Sequence, residues 1–193
     1  MTPLALTTTR LLLRDFEADD WRGLHAWARD PAVTRPMGVE PFDVAASRGY
    51  VARMMAAQHM RPRRRWEVAI VCRADGRLVG ACGLAVAHRR GTVGYVLARD
   101  RWGMGYGTEA AAALLAFGFE GLGLDRIDAT CPRGHAASAR VLGKVGLRRV
   151  PAGWWPLWSA RRWWRFEVDV DGWRARRDAA PSPPVAAAGR SGG

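Results

Sequence analysis

Apolar residues follow two rhythms along this chain, one of helices and one of strands. Leu11-Leu12-Leu13, held between Arg10 and Arg14, is a short apolar run of the kind a buried strand makes. Trp21, Leu24, Trp27 and Ala28 then recur at helical spacing. Asp19 or Asp20 stands ahead of them as a cap, and Asp30-Pro31 stops the helix behind. A second helix is predicted from near Asp43, with Ala46, Tyr50, Val51, Met54 and Met55 on one face and the methionines serving as core filler. Residues 66–72 and 78–85 read as strands around Asp75-Gly76, a dipeptide suited to a tight hairpin turn. A third strand follows at 92–97, then a glycine-rich loop and a helix over 108–122. Residues 125–131 read as a strand, 136–145 as a helix ended by Gly146, and 166–170 as a last strand.

The order β-α-α-β-β-β-α-β-α-β suits an α/β (α+β) fold in which helices cover a mixed sheet. At 193 residues the chain suits one domain, expected over 1–178. The remainder, 179–193, is Ala, Pro, Ser and Gly with one valine and one arginine, and is expected to be a disordered tail. No run approaches the roughly 20 apolar residues that span a bilayer, and no signal peptide is read at the start, so no membrane partner is expected. Three cysteines in no metal or redox spacing point to a reduced, cytoplasmic protein without a metal. The formal charge of +12 raises the question of nucleic acid. Its one dense basic run is Arg61-Pro62-Arg63-Arg64-Arg65, Lys144 is the only lysine, and no nucleic-acid-binding signature accompanies them. A generic basic surface is the expectation, and nucleic acid is not an expected partner.

The chemistry concentrates between the third strand and the helix after it, in Arg101-Trp102-Gly103-Met104-Gly105-Tyr106-Gly107-Thr108-Glu109-Ala110. Alternating glycines let the backbone approach a ligand closely, and the unpaired amides of a helix's first turn favour an anion. This is a cradle for a phosphorylated ligand. A Walker-type loop is excluded because no lysine precedes Thr108. A dinucleotide fingerprint is a poor match: the glycines fall at 103, 105 and 107, beyond the strand, and Asp128 sits inside a predicted strand rather than at its end.

Trp-Gly-x-Gly-Tyr-Gly-Thr-Glu-Ala at 102–110 resembles the acetyl-CoA-binding motif of the GNAT acetyltransferases, and more specifically the branch of the ribosomal-protein N-terminal acetyltransferases. The resemblance runs over roughly residues 8–170. It takes in the opening strand at 9–14, the hairpin at 66–70 and 78–80, Val93-Gly94-Tyr95 before the loop, and Ser138-Ala139-Arg140-Val141-Leu142-Gly143-Lys144-Val145-Gly146-Leu147 after it. It implies a GNAT-like, mostly antiparallel central sheet flanked by about four helices. It also implies an acetyl-CoA-dependent transfer to a primary amine, on a peptide N-terminus or a small molecule, by direct attack in a ternary complex. The chain departs from the family at His135, where asparagine is usual, and at Leu147, where phenylalanine is usual.

The resemblance assigns cofactor binding to Val96, Leu97, Trp102, Gly103, Met104, Gly105, Tyr106, Gly107 and Thr108. An amide at the 96–97 strand end would stabilise the oxyanion. His135 is either a cofactor contact or a solvent-facing helix start. Leu142 stands where many members carry a proton-donating tyrosine, which leaves Ser138 as catalytic donor to the departing thiolate or as a helix-start residue. Glu67, Glu167 and Glu109 are the carboxylates weighed as general base, beside a water chain, and none is chosen. Six of ten tryptophans fall within 154–173. Core packing is the commoner use of tryptophan, but consecutive pairs in a Pro-containing loop cannot all point inward, so Trp154, Trp155 and Trp158 are read as an acceptor wall or a partner contact. The same fold without turnover, binding acyl-CoA as a sensor, is the alternative; oligomeric state is left open between monomer and homodimer.

Overall fold

The computed structural model describes residues 3–151 and 162–179. Eight strands form one sheet in the order β1-β2-β3-β4-β5-β6-β8-β7. They are β1 (Ala5–Thr7), β2 (Leu11–Asp15), β3 (Arg65–Cys72), β4 (Leu78–Ala87), β5 (Arg90–Leu97), β6 (Arg126–Pro132), β7 (Arg148–Val150) and β8 (Trp163–Asp169). Every neighbouring pair is antiparallel except β5 and β6. The helices are α1 (Trp21–Ala28), α2 (Pro31–Thr34), α3 (Val44–Gln58), α4 (Tyr106–Ala116), α5 (Ala136–Lys144) and α6 (Val170–Ala179). This is the mixed sheet with flanking helices that the order of elements suits, with the mostly antiparallel pairing that the resemblance implies.

Alternation along the strands sends side chains to two faces. On the first, Leu13, Val68, Ile70, Leu84, Val93 and Leu97 pack with Ile127, Ala129 and Phe166 against Ala110, Ala111 and Leu114 of α4 and Leu142 and Val145 of α5. On the second, Ala69, Val71, Ala81 and Val96 meet Leu24 and Trp27 of α1 and Tyr50, Val51, Met54 and Met55 of α3. Each fully buried leucine contributes roughly 1.5–3 kcal/mol, so both layers hold the sheet firmly.

Local signals explain most element ends. The Asp43 carboxylate accepts the amide of Ala46 and caps α3, and Asp30 does the same for Ala32 at the start of α2. Asp20 is a correction. It stands just before α1 but makes no side-chain cap there; instead it accepts the Glu17 amide at 2.8 Å and both Arg14 guanidinium nitrogens at 2.7 and 2.8 Å. Helix α4 begins at Tyr106 rather than at residue 108, because burial of the Tyr106 ring outweighs the poor helix propensity of its flanking glycines. The last strand starts at Trp163, three residues earlier than predicted, and Val170 opens α6 instead of ending the strand. The segment after 179 and Trp154, Trp155 and Trp158 lie outside the described residues.

Candidate functional site

β5 is the hinge of the site. It runs parallel to β6 over only three paired positions, Arg90 with Arg126, Gly91 with Ile127 and Thr92 with Asp128. Beyond Thr92 it stays with β4 as far as Leu97, while β6, paired with β8 along its whole length, continues without β5. A wedge therefore opens between the two central strands. The Ala98 amide donates to the Val79 carbonyl, and the β4 ladder keeps its register from there back. By the alternation of such a ladder, the Val96 amide faces β4, and the amides of Leu97 and Tyr95 face the wedge.

The glycine loop closes the wide end of that wedge. Gly103 and Gly105 hold φ of 75° and 81°, a left-handed conformation that side chains resist. Gly105 is the N-cap of α4 and supplies no side-chain cap, and the first helical bond runs from the Glu109 amide to the Gly105 carbonyl. The amides of Tyr106, Gly107 and Thr108 precede that bond and form the unpaired first turn. Trp102 and Met104 stand about half-exposed beside them, and the Trp102 indole N–H donates to the Leu97 carbonyl at 2.9 Å. The Tyr106 ring is buried in the core, so this residue offers the loop its backbone only.

A brace that the linear sequence hides fixes the loop. Glu109, in the first turn of α4, accepts from the Thr8 hydroxyl at 2.6 Å, the Arg10 amide at 2.7 Å and Arg10 Nε at 2.7 Å. Arg10 Nη1 donates in turn to the Met104 carbonyl at 2.8 Å, and its guanidinium lies over the Tyr106 ring. Burial pushes the Glu109 carboxyl upward, but the bonds from Thr8 and Arg10 outweigh it and hold the pKa below the usual carboxylate range. Glu109 is thus a structural anchor. On the other side Arg101 pairs with Asp75 at 2.8 Å and ties the loop to the β3–β4 turn.

At the narrower side, α5 presents Ser138. His135 is the N-cap of α5, and its Nδ1 accepts the Ser138 amide at 3.1 Å. The Ser138 hydroxyl accepts from the Tyr95 phenol at 3.3 Å, across the wedge from β5. Burial raises the Tyr95 pKa, with the bond to Ser138 opposing, and the phenol stays protonated near neutral pH. Burial likewise raises the Cys131 thiol next to the same serine. Leu142, one turn on, is buried at 2% exposure and holds no polar group near the wedge. Tyr95 escaped the sequence reading as a site residue because its partner lies 43 positions away on another element.

The remaining carboxylates separate cleanly. Asp128 accepts from the Thr92 hydroxyl at 2.6 Å and neighbours Arg165, so it belongs to the closed end of the wedge. Glu167 is paired with Arg126 at 3.1 Å and Arg165 at 3.2 Å in the same row. Glu67, on β3, has one arginine, Arg65, at 3.3 Å. Of the basic run, Arg63 is drawn in against Asp15 with its side chain only 5% exposed. A polar cavity of about 270 Å³ between α5, β7, β8 and α6 lies away from the loop. Among the described residues no group of His, Cys, Asp and Glu could hold a metal, and no helix is long and apolar enough to cross a membrane.

Comparison with known proteins bears directly on this geometry. Residues 10–148 match the Acetyltransferase (GNAT) domain family. The uncharacterized N-acetyltransferase p20 of Bacillus licheniformis is 30% identical over 148 residues, which cover 75% of this chain and 82% of p20. The GNAT-family acetyltransferase of Bacillus anthracis superposes with a TM-score of 0.69 at 25% identity, covering 85% of this chain and 96% of its own. A similar fold is seen in Mycobacterium smegmatis RimJ in complex with CoA-disulfide, with a TM-score of 0.65, 24% identity and coverage of 88% and 87%.

Proposed function

Because the chain belongs to the GNAT acetyltransferase family, we propose that it transfers the acetyl group of acetyl-CoA to a primary amine by direct attack. The wedge between β5 and β6, with the unpaired amides of α4 at its mouth, is the observation that carries this reading. Acetyl-CoA use is typical of the family. The pyrophosphate would sit on the amides of residues 106–108, where the helix dipole and three N–H donors meet its charge. Pantetheine would then run into the wedge beside Tyr95 and Leu97.

The thioester carbonyl would meet the Leu97 amide, which is turned toward the wedge. One such donor, aimed where negative charge develops, is worth ~3–4 kcal/mol in measured oxyanion holes. The amine nitrogen attacks the acetyl carbon, the C–S bond breaks, and the thiolate must be protonated. The bond from the Tyr95 phenol supports Ser138 for that step: while its oxygen accepts there, its O–H can turn to the sulfur. The acceptor is a peptide N-terminus or a small amine, and the ribosomal-protein branch is supported only by resemblance of motif and fold. The chain is expected to act in the cytoplasm as a single domain.

The test is thiol release from acetyl-CoA, followed with short peptides, their N-blocked versions, aromatic amines and polyamines. Release that needs a free primary amine supports the reading. Release that proceeds equally with blocked peptides, or none with any amine, overturns it.

A further inference from the structure

The second face of the sheet carries one row unlike its neighbours. Glu67 of β3 pairs with Gly83 of β4, which pairs with Gly94 of β5. The next row on that face is Ala69, Ala81 and Val96, all packed beneath α1 and α3. In the Glu67 row there is no side chain but the glutamate itself. Its carboxylate lies directly over Gly83: a Cβ built there would fall 2.2 Å from Oε2. Over Gly94 a Cβ would meet nothing within 4 Å. An open strip thus leads from the carboxylate to β5, two residues before Val96 and beside the wedge.

Among the described residues the groups around that strip are few. Arg65, on the same strand, reaches Oε1 from the rim with a guanidinium that is 65% exposed, and the Glu67 side chain is 22% exposed. From α3 come Tyr50 and Arg53, while the Cys82 thiol of β4 is buried on the opposite face of the sheet. Burial, with the negative charge of Glu67 second, pushes the Tyr50 phenol up to about 12, so it remains a neutral aromatic wall at working pH. Tyr50 packs edge-on to Phe16 and against Phe42. A carboxylate at the end of a strip walled by Tyr50 suits a cation with an apolar body.

We propose that Glu67 receives the acceptor: its carboxylate binds the incoming ammonium above Gly83 and Gly94 and takes one of its protons. This rests on the acetyl-transfer reading and adds the residue that readies the amine. The N–H bond of the ammonium breaks as the Glu67 O–H forms, and the neutral nitrogen then attacks the acetyl carbon. As the C–S bond breaks, the sulfur takes a proton from Ser138, whose hydroxyl is refilled by the second proton leaving nitrogen, through solvent. Glu67 returns its proton to water. The substrate class is a monocationic primary amine on an aromatic or aliphatic body. Glu167 is ruled out for this role because Arg126 and Arg165 already neutralise it at the closed end.

Glu67→Gln and Gly83→Ala test it together. Glu67→Gln keeps the shape and removes the charge and the base. Gly83→Ala leaves the glutamate in the chain but places a methyl where its carboxylate lies. At pH 7 both should lower kcat/KM for the amine, Glu67→Gln by about 10²- to 10⁴-fold. The Glu67→Gln rate should climb with pH toward the acceptor's own pKa, and acetyl-CoA affinity by calorimetry should stay within about twofold of wild type. Equilibrium binding of 2-phenylethylamine to the CoA-loaded protein, with 2-phenylethanol as the uncharged control, separates this proposal from the transfer reading. Loss of amine binding but not alcohol binding in Glu67→Gln supports the site even if turnover is absent. Unchanged amine binding, or an unchanged pH profile in an active variant, overturns the role of Glu67 and leaves acetyl transfer standing.

Discussion

The two faces of the sheet are built from different side chains, and the difference separates what holds the cofactor loop from what leaves room for an acceptor. The first face is branched and aliphatic: Leu13, Val68, Ile70 and Leu84 pack on α4, whose N-terminus carries the loop. The second thins to Ala69, Ala81, Gly83 and Gly94 near β5 and lets α3 bring Tyr50 instead. Close packing transmits strain, so the first face fixes the amides of α4 to within small displacements. A face of small residues leaves volume for a ligand.

After the Glu67 variants, the largest effect should come where the two faces meet, at the wedge. Ser138→Ala is expected to lower turnover roughly 10- to 100-fold while changing acetyl-CoA affinity much less, since it removes a proton donor and little contact surface. Tyr95→Phe sharpens the comparison: it keeps the ring that packs beside Gly107 and deletes only the bond to Ser138, so its loss should be smaller than that of Ser138→Ala. Steady-state and pre-steady-state thiol release would measure both. A fall in affinity with unchanged saturated turnover in Ser138→Ala would make the serine a binding residue only.

Next in size is the loop itself. Gly107→Asp puts a carboxylate among the unpaired amides and a Cβ 3.1 Å from the Tyr95 ring. Acetyl-CoA affinity should fall at least tenfold, on the order of 1.4 kcal/mol, by calorimetry on a variant whose circular dichroism matches wild type. If a folded Gly107→Asp protein binds acetyl-CoA as tightly as wild type, the pyrophosphate is held elsewhere.

The brace behind the loop should matter less, and through pH. The Glu109 pKa is held below the usual range because the bonds from Thr8 and Arg10 overcome the cost of burial. A depressed carboxylate stabilises the fold fully above its unfolded pKa, and that contribution disappears as pH falls through the lower folded value. Glu109→Gln should therefore cost on the order of 1 kcal/mol at neutral pH, about 2–4 °C in Tm, and the gap should narrow in acid. Thermal melts at pH 7 and at pH 3 give the comparison. A gap that widens on acidification would remove Glu109 as an ionised anchor.

What could be read along the chain and what could not divides by distance. The β5–loop–α4 unit was legible because its signals are local: a β run, alternating glycines, then an apolar helix. The β3–β4 hairpin was legible for the same reason, with Asp75-Gly76 marking the turn. β1 and β7 escaped because three residues carry too little pattern, and both are paired to strands that give them their shape. α6 escaped because Val170, Trp173 and a charged remainder show weak periodicity, though Trp173 stacks on Phe119. In the site, the family motif led to Ser138, but the Arg10–Glu109 brace joins positions 99 apart and no window along the sequence contains it. The open strip beside Glu67 was hidden likewise, since Gly83 and Gly94 mark it only once the register sets them in one row.

The smallest expected effect lies on the side of the loop away from the brace, where Asp75 meets Arg101. The Asp75 carboxyl is lowered to about 2, first by the Arg77 amide and then by the Arg101 guanidinium. Its folded pKa lies below the unfolded one, so its contribution is complete above about pH 4 and is lost as pH falls toward 2. The Asp75 carboxylate is open to solvent although the Arg101 side chain is mostly covered, and ion pairs with an open partner are weak and screened by salt. Asp75→Asn should thus shift the acid-unfolding midpoint only slightly, with the shift shrinking at high ionic strength. Acetyl-CoA affinity should change less than about twofold, because Arg10 and Glu109 hold the loop from its other side. Acid titrations followed by tryptophan fluorescence at low and high salt measure the first effect, and calorimetry the second. An affinity loss in Asp75→Asn as large as that of Gly107→Asp would mean that the hairpin turn, rather than the first face of the sheet, sets the geometry of the cradle.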